Sequence, residues 1–157
     1  MFRVGDKVAH PMHGAGVIDG IVTETVAGGS QDYYVFRMPV GGLVLKIPTA
    51  ASAAVGLRSV VDPVKAAKLL RDLTMLEVER FTGSWNQRYR ENMQKIKSGD
   101  LYEVARVAKG LVHRDREREM LRSAKQILIS EMVLSMEEEY HAIETQVNAA
   151  MSGGQAV

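Results

Sequence analysis

The 157-residue sequence contains no cysteine, and this absence excludes disulfide bonds, thiolate zinc sites and cysteine nucleophiles. It also lacks an apolar run of the roughly 18 residues that a bilayer span needs, and Arg3 stands where a signal peptide would begin its apolar stretch. An excess of one charge is absent too, since 20 Lys and Arg oppose 19 Asp and Glu. We therefore expect a cytoplasmic protein without membrane contact, folded as one domain or two small ones.

The net charge of +1 predicts no polyanionic partner by itself, but the charges are unevenly distributed. Residues 84–126 contain eleven basic and six acidic side chains. Residues 131–144 contain five acidic side chains and no Lys or Arg. The overall balance therefore conceals a basic segment and an acidic one.

Residues 1–60 have the pattern of short strands separated by glycine-bearing turns. The runs GVIDGIVTETV and DYYVFRMP flank AGGSQ with the spacing of a hairpin, and LVLKIP follows after VGG. In LVLKIP, one face of the predicted strand carries Leu43, Leu45 and Ile47. The other face carries Val44 and Lys46. The pattern predicts a small, bent barrel or sheet with little core of its own.

A helical pattern begins at Asp62, which has the character of a helix N-cap, with Pro63 at the first helical position. We place the domain boundary near residues 50–61, so that residues 1–60 form the first domain and residues 61–150 the second. Apolar residues at spacings of three predict the buried face of the first helix: Val64, Ala67, Leu70, Leu73 and Leu76. Residues 151–157 are expected to be a disordered tail.

Two further N-cap pairs predict the starts of later helices. Ser84 with Gln87 predicts a helix over residues 85–97, and Asp100 with Glu103 predicts the next one. Apolar faces then follow for a third and a fourth helix: Leu101, Val104, Ala105, Ala108, Leu111 and Val112, then Met120, Leu121, Ala124, Ile127, Leu128, Met132 and Val133.

Periodicity leaves open whether the third and fourth helices separate at Arg114–Asp115 or fuse. The alternating charges of HRDRERE are typical of a solvated helix face or a capped turn. The acidic run EMVLSMEEEYHAIE keeps Met132, Met136 and Ile143 roughly at helical spacing, and we expect it to form a solvated terminal helix.

The stretch HPMHGAG, residues 10–16, is a candidate for chemistry because His10 and His13 could ligate a metal. A catalytic zinc needs three protein ligands, and no third ligand is near in sequence. The glycine spacing is neither that of the dinucleotide fingerprint nor that of the P-loop. We therefore expect a glycine-bearing turn between two strands, and no enzyme, metal or cofactor.

The stretch GSWNQRYREN contains the single tryptophan of the chain. Four side chains lie on one side of the predicted helix, at spacings of four, four and three: Trp85, Tyr89, Met93 and Ile96. A core stripe is the simplest interpretation. However, Trp85 stands at the first helical position, beside Arg88 and Arg90, and an apolar wedge flanked by arginines is what a DNA minor-groove binder needs. The residues alone leave both interpretations open.

Three segments together resemble one family: FRVGDKVAHPMHGAGVI, SWNQRYRENMQKIKSGDLYEVARVAKGLVHRDRE and MLRSAKQILISE. They are similar to the CarD/CdnL family of bacterial transcription regulators, over the chain up to about Glu138. The first segment also resembles the RNA polymerase interaction domain of transcription-repair coupling factor. The resemblance implies an α+β protein, with a small N-terminal Tudor/SH3-like β-barrel followed by a compact all-α domain.

The resemblance also implies partners. The barrel would bind the β subunit of RNA polymerase, with Lys46 as a basic contact. The helical domain would touch promoter DNA, and Trp85 would lie against the minor groove at the upstream edge of the melted region. Arg88, Arg90 and, more weakly, Lys125 match the DNA-contacting basic residues of the family.

Two departures from the family pattern bear on these partners. Glu24 stands where some relatives have a second basic contact, so the polymerase contact would shift towards Thr25, Val26 and Lys46. In addition, HRDREREML lacks an insert that many relatives carry between its two halves.

The resulting expectation is a regulator without catalytic activity or cofactor, associated with the nucleoid through RNA polymerase. It would stabilise the open promoter complex with low sequence preference. The alternative is a protein–protein adaptor on the polymerase, in which Trp85 anchors a protein interface and no DNA is contacted. A monomer is expected, and a dimer stays open.

Overall fold

The computed structural model describes residues 1–78 and 83–153. The N-terminal part is a five-stranded antiparallel sheet with the strand order β4-β3-β2-β1-β5. Its strands are β1 Lys7–His10, β2 Gly14–Val26, β3 Gly29–Arg37, β4 Val44–Pro48 and β5 Arg58–Ser59. No pairing joins β4 to β5 in the described part of the chain, so the sheet is open and the expected barrel is not observed. Because β5 has only two residues, it offers β4 no edge long enough to close the sheet.

The predicted hairpin is present and is tighter than its sequence suggested. Val26 pairs with Gly29, so the β2–β3 turn contains only Ala27 and Gly28. The alternation predicted for LVLKIP holds along β4, where Ile47 is buried while Val44 and Lys46 are exposed. Strand residues and two residues beside the strands, Met38 and Leu57, form a small core with the sheet. Its strand members are Val8, Ile18, Tyr34, Phe36 and Ile47.

Helices make up the rest of the described chain. They are α1 Ser52–Val55, α2 Pro63–Asp72, α3 Trp85–Lys97, α4 Leu101–Leu111, α5 Arg118–Met136 and α6 Tyr140–Gly153. Among them, none is long and apolar enough to cross a membrane. Helices α2 to α6 share a second apolar core, separate from that of the sheet.

The predicted N-caps are confirmed. The Asp62 carboxylate accepts a hydrogen bond from the Lys65 N–H at 2.9 Å at the start of α2. Ser84 Oγ accepts from the Gln87 N–H at 3.2 Å, and α3 begins at the next residue. The Asp100 carboxylate caps α4 in the same way. A capping side chain satisfies backbone N–H groups that have no partner in the helix, so it sets the start of the helix locally.

The predicted buried face of α2 is correct only in part. Leu73 is fully buried, and Leu70 and Leu76 pack against the core, but Val64 is 78% exposed. The core also receives Ala66 and Leu69, which lie outside the predicted set and form a buried stripe with Leu73. A helix turns by 100° per residue, so positions at a constant spacing of three drift steadily around its axis. The buried stripe alternates spacings of three and four and therefore holds one face.

The C-terminal segment resolves one open question and departs from one prediction. Of the two alternatives that periodicity leaves open, the structure has separate third and fourth helices, with a short 3₁₀ turn at Asp115–Glu117 between them. Helix α5 ends at Met136. The next residue, Glu137, has a left-handed φ of 55° and reverses the chain, so that α6 packs back onto α5. The expected solvated helix is therefore a core helix, with three buried side chains: Ile143, Val147 and Met151. Helix α6 includes residues 151–153 of the predicted tail, and residues 154–157 lie outside the described residues.

A buried lysine holds the turn that follows α2. Lys109 of α4 is 3% exposed, and its ammonium donates to the carbonyls of Leu73, Thr74 and Leu76 at 2.9, 2.9 and 2.8 Å. Burial lowers the pKa of this ammonium. Because one side chain satisfies three carbonyls at the end of a helical segment, it acts as a C-terminal cap.

The sheet is joined to α5 by buried polar contacts, which we call the interdomain clamp. Its members are Ala15, Arg58, Val61, Ser130, Glu131 and Ser135. Both Glu131 oxygens accept from the Arg58 guanidinium, at 2.7 and 2.8 Å. Ser130 Oγ accepts from the Ala15 N–H at 2.9 Å, and Ser135 Oγ donates to the Val61 carbonyl at 2.5 Å. The three clamp residues of α5 are all buried.

Gly14 lies where the sheet closely approaches α5, so a substitution at Gly14 tests this packing. A Cβ at Gly14 would lie 2.4 Å from Ser130 Oγ, on a backbone with a φ of 110°. We predict that Gly14→Ala lowers the free energy of unfolding by about 2 to 5 kcal/mol, by adding overpacking to backbone strain. The matched control is Gly28→Ala, which has a φ of 94° but nothing within 4 Å, and should cost about 1 to 2 kcal/mol. Equal losses in urea denaturation would contradict the close approach.

Candidate binding surfaces

The N-terminal end of α3 presents two aromatic rings to solvent. Trp85 is 49% exposed and Tyr89 is 41% exposed. Their ring centroids are 5.4 Å apart with an interplanar angle of 27°, so the rings stack on each other. Further along the same stripe, Met93 is half-buried and Ile96 is 3% exposed. The stripe thus passes from solvent to core, and the core interpretation fits Ile96 but not Trp85.

The position of Trp85 explains its exposure. It follows directly after the Ser84 cap, and side chains of a helix lean towards its N-terminus. Helix α3 packs on α4, and the core contacts come from its C-terminal half, where Ile96 is buried. The ring of Trp85 therefore lies beyond the part of α3 that the core covers.

The two arginines beside Trp85 have different environments. Arg90 is exposed and has no ion-pair partner in the described part of the chain. Arg88 is 18% exposed at its side chain, and its Nε lies 3.0 Å from Glu117 Oε1. Glu117 is buried and Arg114 Nε lies 4.0 Å from its Oε2. The guanidinium of Arg88 thus neutralises a buried carboxylate, so Arg88 is less accessible to a partner than Arg90.

Lys125 lies on a different part of the helical domain. It lines a groove of about 750 Å³ between α5, the start of α6 and the β3–β4 loop. The lining includes two more α5 cations, Arg118 and Arg122, together with Leu121 and Tyr140. The Trp85–Tyr89 stack is not part of this lining. The structure therefore groups Trp85, Arg88 and Arg90, and sets Lys125 apart.

Strand register places the other candidate residues on the sheet. Lys46 pairs with Val35, and Val35 pairs with Gly20, so these three share a face. By alternation along β2 and β4, this surface also carries further side chains; we define the outer sheet face as Val22, Glu24, Val26, Val44 and Lys46. Thr25 points to the opposite side of the hairpin.

The outer sheet face combines exposed apolar groups with one ion pair. Val22, Val26 and Val44 are 36%, 37% and 55% exposed. Lys46 Nζ donates to Glu24 Oε1 across this face. Of these residues, Lys46, Glu24 and Val26 come from the family resemblance, and the alternation of LVLKIP places Val44 on the face of Lys46. The sequence analysis does not include Val22, which period-two counting from Glu24 would have found.

The stretch HPMHGAG forms the turn between β1 and β2, as predicted. His10 Nδ1 accepts a hydrogen bond from the Met12 N–H at 3.1 Å, and the His13 ring centroid lies 4.6 Å from that of His10. Burial and, secondly, the nearby His13 lower the pKa of His10 to about 4. In residues 1–78 and 83–153, no three His, Asp or Glu side chains are placed to hold a metal ion.

The change from exposed to buried side chains along α3 predicts how two substitutions affect stability. Trp85→Ala should change the free energy of unfolding by less than about 1 kcal/mol, because the ring is half-exposed and lies outside the apolar core. Ile96→Ala on the same stripe should cost about 2 to 5 kcal/mol, because Ile96 is buried in that core. Urea denaturation of both variants makes the comparison, and a loss at Trp85 as large as that at Ile96 would show a core tryptophan.

Comparisons with known proteins agree with the two-part architecture. Residues 2–61 match the CarD-like/TRCF RID domain, and residues 77–148 match the C-terminal domain of CarD. YdeB of Bacillus subtilis (strain 168), a protein named as a transcription factor, is 34% identical over 139 residues, which cover 84% of this chain and 90% of YdeB. The two matched domains account for most of the chain and follow each other in order. The chain therefore belongs to the CarD family of transcription regulators, which interact with RNA polymerase.

Proposed function

We propose that this protein binds the β subunit of RNA polymerase through the outer sheet face and stabilises the open promoter complex through the exposed end of α3. The observation that carries the proposal is the stacked, solvent-exposed pair Trp85 and Tyr89 beside the exposed cation Arg90. Two large rings exposed together on a soluble domain are typical of a binding surface. The protein acts without catalysis or cofactor in this account.

The end of α3 suits the minor groove at the upstream edge of a melted region. An apolar ring can lodge at an unstacked base step, while nearby cations hold phosphates. Arg90 supplies an exposed cation. Arg88 remains partly accessible beside Glu117, and Lys125 would contact a more distant phosphate. Such contacts read the shape and deformability of DNA more than its base edges, so sequence preference is low.

The outer sheet face suits a protein partner. Its valines supply apolar area, and its Lys46–Glu24 pair supplies charges that can be exchanged with a partner. Val26 lies at the hairpin tip on the same face, and Thr25 would contribute from the opposite side of the tip. Binding to polymerase then raises the local concentration of the helical domain at the promoter, so modest intrinsic DNA affinity is enough.

The effect on transcription follows from differential binding. A ring that fits melted or kinked DNA better than closed duplex shifts the equilibrium by its preference between the two states. A preference of about 1 to 2 kcal/mol changes the ratio of open to closed complexes by roughly five- to thirty-fold.

The first test is the occupancy of open complexes on a promoter with purified bacterial polymerase, at a saturating concentration of the factor. Wild-type protein should raise the occupancy, and Trp85→Ala should abolish most of that increase. Val64→Ala is the control, because Val64 is equally apolar, is 78% exposed and lies on α2. Equal stimulation by wild type and Trp85→Ala would favour the alternative of a protein–protein adaptor.

A second test isolates the phosphate contact of Arg90. Arg90→Ala should reduce the slope of log affinity against log salt by about 0.9 for a DNA duplex with a melted segment, because one phosphate contact is lost. Arg71→Ala removes an exposed cation of α2 and should leave the slope unchanged. Arg88 is a poor choice here, since its removal leaves the buried Glu117 without its partner. An unaltered slope for Arg90→Ala would exclude Arg90 from the DNA contact.

A third test concerns the sheet. Lys46→Glu should weaken co-precipitation with the β subunit at least about tenfold, because it reverses a charge at the centre of the outer sheet face and places it beside Glu24. Lys65→Glu reverses an exposed charge on α2 and serves as the control. If the Lys46→Glu protein co-precipitates as much β subunit as the wild type does, the polymerase contact lies elsewhere.

A further inference from the structure

We propose that Glu131 is a positioning residue: through the interdomain clamp it fixes the outer sheet face and the exposed end of α3 at one separation and orientation. The inference rests on the proposed function for its consequence at the promoter. The claim that this carboxylate makes the two surfaces move as one rigid body does not depend on the proposed function, and it has a separate test.

Both oxygens of the Glu131 carboxylate accept hydrogen bonds from the sheet side of the molecule. The residue is 0% exposed, and its Oε1 accepts from Arg58 Nη2 at 2.8 Å. Its Oε2 accepts from Arg58 Nη1 at 2.7 Å and from the Val61 N–H at 2.9 Å. Bidentate arginine–carboxylate pairs fix orientation as well as distance. One helical side chain thus holds the last strand of the sheet and the segment that leads into α2.

Two flanking serines prevent rotation about this pair. Ser130 binds the backbone of β2 at Ala15, and Ser135 binds the Val61 carbonyl. The contacts extend over residues 130–135 of α5, a rise of about 7.5 Å. Because they engage β2, β5 and the following segment, the sheet is held at several points and neither slides nor pivots on the helix.

Helix α5 connects the clamp to the tryptophan. Glu117, directly before α5, holds Arg88 of α3, three residues after Trp85. Glu117 and Glu131 are separated by fourteen residues of almost entirely helical chain, a rise of about 21 Å. Two buried carboxylates near opposite ends of one helix therefore bind arginines from the two functional parts of the molecule, and the helix between them acts as a rigid spacer.

Energetics favour a positioning role over a purely stabilising one. An ion pair with a buried carboxylate contributes little net stability, because desolvation opposes the attraction between the charges, but it can specify one arrangement. The two apolar cores are separate, and the nonpolar contact where β2 packs on α5 is not directional. The clamp supplies directional contacts at the junction.

The rigid spacer is tested by the distance between two spin labels. The chain has no cysteine, so Ala27→Cys at the hairpin and Gln94→Cys on α3 can be labelled without background. We expect a narrow distance distribution in otherwise wild-type protein and a distribution at least twice as broad with Glu131→Gln. Glu137→Gln is the matched control, since Glu137 also bridges to the sheet through Lys7 but is 79% exposed at its side chain. Its distribution should stay narrow.

The same variants, unlabelled, are then assayed with polymerase and promoter at saturating factor. Glu131→Gln should retain polymerase binding within about twofold, while its stimulation of open complexes falls at least fivefold; Glu137→Gln should keep both. Arg58→Lys, which keeps the charge but loses the bidentate geometry, repeats the test should Glu131→Gln fail to fold.

The outcomes separate the two proposals. A narrow distance distribution in both clamp variants would overturn the positioning role, and so would a broad distribution with full stimulation of open complexes. Absence of stimulation by wild-type protein would instead contradict the proposed function, while the distance measurement would still decide whether Glu131 holds the two surfaces together.

Discussion

The buried carboxylate of Glu131 is the constraint on which the arrangement of this protein depends. A carboxylate without solvent contact has to be paired, and here both oxygens are occupied by Arg58 and the Val61 N–H. The sheet and the helices have their own apolar cores, so this polar junction decides how the two parts face each other. Gly14 contributes by letting the sheet approach α5 closely enough for the Ser130 contact.

The fixed junction matters because it holds the two exposed surfaces in one relative orientation. The outer sheet face offers valines and one ion pair, which suits a protein partner, whereas the end of α3 offers two stacked rings and an exposed arginine, which suits distorted DNA. A protein of near-zero net charge has little reason to bind DNA strongly by itself. In the proposed function, anchoring to polymerase at one surface means that only a modest preference for melted DNA is needed at the other.

The sequence predicted what local chemistry determines. N-caps at Ser84 and Asp100 set helix starts within a few residues, and period-two alternation set the faces of β4. The sequence-based prediction failed where contacts between residues far apart in the sequence determine the structure. The acidic run at residues 131–144 was interpreted as solvated because Arg58, the partner of Glu131, is 73 residues away. The ion pair of Arg88 with Glu117 is also absent from the prediction, because Glu117 lies 29 residues on in a mixed-charge run. The expected roles of Trp85 and Lys46 rest on the family resemblance, since periodicity alone leaves Trp85 between core and surface.

The most direct measurement of the central claim is a crosslink from position 85. A photoreactive amino acid in place of Trp85, irradiated in the assembled open complex, reports what the end of α3 touches. The account predicts a crosslink to promoter DNA at the upstream edge of the melted region, and no DNA crosslink from the same group at Val64 on α2. Crosslinks from position 85 to a polymerase subunit alone would contradict the DNA contact and make the aromatic pair a protein-binding anchor.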